Sequence, residues 1–306
     1  MKRRRTNVIL ATLVLIVAFG IWYFFIKRWD YKILFTVPVT HSVAYTFIHD
    51  HHEWDGKTLK NGQLTFSEKE PWTFLSSQLN LDSSIYLFDW KLKAKNDSLT
   101  KISLGVSDAR HSLRNRWSVL FKKTAFEKNI RKNVIIIRDK IIERNNEFKY
   151  SKACSDSMES IPCVYISTKS PVRGKANEMI RNVISLNLFV KEHKLGLNGN
   201  PMVVVKNWNP LSDSIDFDFC FPVLHPELIP EDDLIKSRTV SVKKALRIDF
   251  FGNYSYTDYS WNQLFEAAHK QSANPTGRII EVFYNDPHSG ENDLNWKASV
   301  YMELAE

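Results

Sequence analysis

The sequence predicts an α+β protein with an N-terminal transmembrane (TM) helix, a strand-rich unit closed by one long helix, and a duplicated βαββ unit on an antiparallel sheet. Three observations carry this expectation. Residues 8–26, VILATLVLIVAFGIWYFFI, hold no charge and match the length an α-helix needs to cross the hydrocarbon layer. Residues 31–149 read as strand, short helix, several strands and a long amphipathic helix. Residues 161–306 read βαββ twice, with Asn200-Pro201 and Asn274-Pro275 between helix and next strand in each half.

The apolar run ends in Trp22, Tyr23, Phe24 and Phe25, bulky residues unlike the small ones of a cleavage site, so it reads as an uncleaved anchor over residues 1–30. Four basic residues precede it and three follow, which orients the N-terminus to the cytoplasm. The expected placement is a single-pass protein of a bacterial inner membrane, in contact with membrane lipid, its remaining bulk outside the cytoplasm. The formal charge of +8 is concentrated here, leaving about +2 for residues 33–306. A basic excess confined to the flanks of an apolar run argues against nucleic acid as a partner. At 306 residues with 43% hydrophobic content, the chain can bury two ordinary cores.

In the first unit, 31–149, YKILFTVPV alternates as a strand, and THSVAYTFIHD reads as a short helix capped by Thr40 or Ser42. SIYLFDWKLKA places Tyr86, Phe88, Trp90 and Leu92 on one strand face, and KISLGV and RWSVLF continue the strand pattern. Phe126, Ile130, Val134, Ile137 and Ile141 then fall at helical steps opposite a basic face. This order resembles the START-like, helix-grip domains called SRPBCC or polyketide-cyclase-like, with HHEW near Trp54 as its one local feature.

Residues 150–160 are small and polar and read as a linker. Cys154 and Cys163 flank much of it and could close a disulfide in an oxidising compartment or stay reduced; Cys220 has no evident partner. The first repeat continues as strand IPCVYIST, a helix with Met179, Val183, Leu186 and Val190 on one face and Gly196 past its end, and strands GNPMVVVKNW and IDFDFCFPV. The second runs KKALRIDFFG, a helix with Trp261, Leu264, Phe265 and Ala268 on its apolar face, then NPTGRIIEVFYNDP and WKASVYMEL.

Gly252-Asn253-Tyr254, Pro275 with Gly277, and EVFYNDP at 281–287 make residues 161–306 similar to the GyrI-like, or effector-binding, domain of multidrug-sensing regulators. That resemblance implies a small-molecule site in a cleft between the two repeats. The family often carries a glutamate in its final strand, where this chain has Ser299, and Glu303 stands where a proline is common.

Glu281 is the residue that demands explanation, because it interrupts an apolar strand and shares a face with Ile279 and Phe283. A buried carboxylate needs a partner. One candidate is a small apolar or cationic ligand held among Tyr254, Trp261, Trp208 and Tyr301, with cation–π attraction of about 0.5–2 kcal/mol per ring. The other is a backbone N–H, Arg247 or Arg278. Each of the four rings also fits an ordinary core position.

Elsewhere, HDHHEW (49–54) gathers zinc-ligand types, but the spacing does not put three donors on one helical face, so no metal and no cofactor is expected. Asp216 and Asp218 share a strand face and read as outward, solvated residues. The Walker, GxGxxG, GxSxG and CxxC patterns do not occur. The functional expectation is a non-catalytic, membrane-anchored small-molecule binder without a helix-turn-helix segment. Its rivals are a hydrolase with Glu281 as general base acting through a water, and an envelope scaffold protein.

Overall fold

The computed structural model describes residues 2–81, 84–96, 98–119, 121, 123–211, 214–290 and 292–305. It is a mixed α+β chain with six α-helices among these residues and two large antiparallel sheets, in two compact units, Met1–Ile142 and Glu143–Glu306.

The first unit opens with α1 (Lys2–Ile21), whose first turn is spent on the basic run 2–5, and the aromatic end Trp22–Ile26 is wound as a π-helix. Among the described residues no helix is long and apolar enough to cross a membrane. This corrects the expected spanning anchor, its contact with lipid and the inner-membrane placement: the nineteen-residue uncharged run is divided between two helix types instead of forming one long apolar α-helix.

β1 (Tyr31–Val37) is followed by α2 (His41–Asp50), whose first turn is capped where Thr40 Oγ1 accepts from Val43 N at 3.3 Å. A small hairpin, β2 (Glu53–Trp54) and β3 (Lys57–Thr58), leads to β4 (Leu64–Glu70), β5 (Phe74–Leu81), β6 (Ser84–Asn96) and β7 (Leu99–Asp108). The five long strands pair in the order β1-β7-β6-β5-β4. α3 (Ser112–Val119) comes next, so RWSVLF does not continue the sheet. A run that short fits either period; Arg116 decides it by bonding Asp30 at 2.7 Å and the Phe24 carbonyl at 2.9 Å. α4 (Ala125–Asn145) buries Ile130, Val134, Ile137 and Ile141 of the stripe its periodicity predicts, and Phe126 at its start is half-buried.

In the second unit β8 (Phe148–Tyr150) pairs with the end of β12 (Lys236–Gly252). Around them come β9 (Cys154–Pro171), α5 (Lys175–Glu192), β10 (Met202–Asn207), β11 (Ser214–Pro222), α6 (Asp258–Lys270), β13 (Pro275–Phe283) and β14 (Lys297–Leu304). The sheet order is β14-β13-β10-β11-β9-β12-β8, and β12 also pairs with β14 through Ala245 to Phe251. β12 therefore closes six strands into a ring. The repeats meet at β10 and β13, where Val203 lies opposite Glu281 and Val205 opposite Ile279.

The polar stretch 150–160 is, from Cys154 onward, the first half of an 18-residue strand. Cys154 and Cys163 lie nine positions apart on that strand, on the order of 30 Å, far beyond the ~7 Å a disulfide spans. Both are free thiols, which removes the possible bridge. Cys163 is buried near Cys220, and burial, with Cys163 as hydrogen-bonding neighbour, pushes the Cys220 thiol well above its ordinary pKa.

Alternation sorts the sheet into two faces. Ile279, Glu281 and Phe283 share one with Val203, Val205, Phe217, Phe219 and Phe221, under the two helices. The other carries the core of Cys163, Met202, Val204, Cys220, Val240 and Ile280. Because the ring closes, the second face is also buried, and Asp218 lies within it at 0% exposure. Asp218 accepts from Ser167 Oγ at 2.6 Å and pairs with Lys206 at 2.8 Å and Arg238 at 2.5 Å. This corrects its reading as an outward, solvated residue; Asp216, two positions before it, is exposed.

Candidate functional site

Glu281 is fully buried, and its neighbours come from both helices. Oε1 accepts from the indole Nε1 of Trp261 in α6 at 2.7 Å. Oε2 is ion-paired with Lys175 at the start of α5. The same Lys175 ammonium donates to Thr257 Oγ1 at 2.6 Å and lies 4.8 Å from the Trp261 ring centroid. The carboxylate is thus neutralised from within the chain, by neither Arg247 nor Arg278. Those two pair with Asp156 at 2.5 Å and with Glu303 at 3.0 Å.

The four rings named with Glu281 separate. Trp261 touches it, and Trp208 lies one ring further, edge-on to Trp261 at 5.6 Å and to Phe265 at 6.0 Å. Trp208 is held by its N–H to Gly277 O at 2.8 Å, an approach that works because Gly277 sits at φ +87° and a Cβ there would meet Asn207 Oδ1 at 2.5 Å. Tyr301 faces the other way, because its register partner is Ile280, and it belongs to the opposite core. Burial raises its phenol pKa, against the hydrogen bond from Arg247.

Tyr254 stands at a cleft of about 480 Å³. Its floor is Phe219, Phe221 and Phe283, one step along the strands from Glu281. One wall is α5, through Met179, Ile180 and Val183; the other is the loop 284–288. Apolar spacing on α5 explains the wall: Leu186, Phe189 and Val190 are buried beneath the helix, while Ile180, at 58% exposure, stays open beside the cleft.

The loop is built by the motif residues. Tyr254 Oη donates to Lys297 O at 2.9 Å and accepts from Asn285 N at 3.0 Å, and Asn285 Oδ1 accepts from Lys297 N at 2.8 Å. Asp286 accepts from His288 N at 2.9 Å, capping the next turn. Gly252, just before Asn253 and Tyr254, sits at φ +147° with Phe148 and Glu147 pressed against it. Burial pushes the Tyr254 phenol pKa up despite its backbone bonds to Asn285 and Tyr284.

Sequence reasoning missed Lys175 and the cleft floor. A lysine in the first turn of a helix opposes the helix dipole, and that mismatch was the one available signal for Lys175. In the first unit His49 bonds Asp50 at 2.9 Å and His51 stacks on Phe47 at 5.2 Å. Among the described residues no cluster of three metal-ligand types forms.

No family model matches the chain, and neither does any curated protein. Among solved structures it is similar to the crystal structure of the EcmrR C-terminal domain, at 14% identity and a TM-score of 0.43, over 51% of this chain and 98% of that one. The cryo-EM EcmrR–DNA complex in EcmrR-RPo matches at 13% identity and a TM-score of 0.43, over 64% and 72%. The di-domain ARO/CYC StfQ of the steffimycin biosynthetic pathway matches at 9% identity and a TM-score of 0.28, over 90% and 85%. At these scores the backbones coincide only loosely.

Proposed function

We propose that the unit Glu143–Glu306 is a GyrI-like small-molecule-binding module whose ligand lies in the cleft between α5 and the loop 284–288. The observation that carries this reading is the cleft itself. At about 480 Å³ it falls within the ~300–1,000 Å³ of sites for drug-sized ligands, and its surface is mostly apolar with a few amides at the rim. An exposed isoleucine on its wall gains by being covered, at ~25 cal/mol per Å² of apolar surface removed from water. Tyr254 of GNY and Asn285 of NDP bond each other, which gives the motif pair the job of holding one wall.

In this reading residues 31–149 form an SRPBCC-like companion module. The hollow lined by Ile48, Trp54, Leu79 and Phe88 in the first unit is only about 30 Å³, too small for such a ligand, and the ligand is assigned to the cleft of the second. The reading leaves nucleic acid out, in keeping with the pairing of Lys206, Arg238, Arg247 and Arg278 on the far sheet face with carboxylates.

A thermal-shift screen of the full chain with small apolar compounds tests the reading. A ligand at a hundred times its Kd stabilises by about 2.7 kcal/mol, and that shift should vanish in Ile180→Trp, which fills the cleft from an exposed position. A screen without any shifting compound, or a shift that survives in Ile180→Trp, overturns it.

A further inference from the structure

We infer, resting on the cleft reading above, that the ligand is an uncharged, flat, largely apolar molecule, because Lys175 already fills the cation-recognising arrangement beside the cleft. A carboxylate, a hydroxyl and the face of an indole converge in this unit in the arrangement that recognises an ammonium group: Glu281, Thr257 and Trp261. The chain fills that arrangement itself. The Lys175 ammonium donates to Thr257 Oγ1 at 2.6 Å, pairs with Glu281 and lies 4.8 Å from the Trp261 centroid. The Lys175 and Glu281 side chains are 3% and 0% exposed, so a foreign cation would have to displace a buried ammonium and leave it unpaired.

The neighbouring cleft offers no second buried counter-charge among its described lining residues, since Asp286 is exposed to water. Asp286 is the one carboxylate among its described lining residues, and it already accepts from His288 N at 2.9 Å in capping its own loop. Lysine and arginine are absent from that lining, so an anion finds no full positive partner either. The rest of the lining is aliphatic and aromatic, with three phenylalanine rings, and includes the neutral amides of Asn187 and Asn200, which suit a flat molecule carrying a carbonyl or hydroxyl. Glu281 and Phe283 share one strand face two residues apart, so the filled cation site ends where the cleft begins.

The test is a fluorescence titration of the full chain with Nile red, an uncharged flat dye, and with rhodamine 6G, a cationic one. Ile180→Trp is run in parallel to subtract binding outside the cleft. Cleft-dependent binding of Nile red should be at least threefold tighter than that of rhodamine 6G. The preference should hold in the double variant K175M/E281Q, where neither charge remains but Trp261 can still donate to the residue at 281. A preference below threefold, or cleft-dependent rhodamine 6G binding that weakens in K175M/E281Q, overturns the inference and leaves the cleft reading standing. Failure of both dyes to bind in a cleft-dependent way overturns the two together.

Discussion

Lys175 and Glu281, 106 positions apart, form an ion pair that ties the first helix of one repeat to a central strand of the other. Removing one partner strands the other charge in the interior, whereas removing both does not. Glu281→Gln should therefore cost about 3–5 kcal/mol in urea unfolding, and K175M/E281Q should lie within ~1–2 kcal/mol of the parent. Equal losses in the two variants would show that the pair is not buried as described.

Gly252 has no room for a side chain. It sits at φ +147°, and an added Cβ would lie 2.7 Å from Phe148 Cβ and 2.9 Å from Glu147 O. Gly252→Ala should destabilise by roughly 1–3 kcal/mol and loosen the Tyr254–Asn285 bond downstream, read as faster amide exchange at Asn285.

Asp218 is the acceptor of a three-way cluster inside the closed ring, with Ser167, Lys206 and Arg238 as donors. Asp218→Asn should cost about 2–3 kcal/mol, because the amide cannot accept from all three and Arg238 and Lys206 lose their counter-charge. A neutral effect on the denaturation midpoint would contradict this placement.

His51 gives the first unit a pH dependence of known sign. Burial holds its pKa down at about 4 against an ordinary 6.5, so the unfolded chain takes up the proton first as pH falls. Stability from the neutral ring is complete above about pH 6.5 and is lost as the pH drops towards 4. His51→Gln should flatten the part of the stability–pH curve between those values, measured by denaturant titration at a series of pH values.

Much of the fold is legible in the sequence because it follows period. Alternation put Glu281 with Ile279 and Phe283, and helical spacing marked most of the buried stripe of α4 and, in α5, Leu186 and Val190, while Met179 and Val183 of the same stripe line the cleft. The rest depends on what closes over each face. Asp218 alternates like an outward residue, and β12 pairing with both β9 and β14 is what buries it. Tyr301 looked like a neighbour of Glu281 until the register put it opposite Ile280. The place of Lys175 in the first turn of α5 is unusual, but its partner lies in the other repeat, beyond the reach of local pattern. Residues 8–26 carry no charge, but that alone did not say that the α-helix stops at Ile21 and a π-helix follows.

Equilibrium titration of the full chain with Nile red tests most directly whether the hollow walled by α5 takes up a guest. One saturable site per chain, reduced at least tenfold in affinity by Ile180→Trp while the unfolding midpoint stays unchanged, is the expected result. Binding that fails to saturate, or that is equally strong in Ile180→Trp, would contradict it.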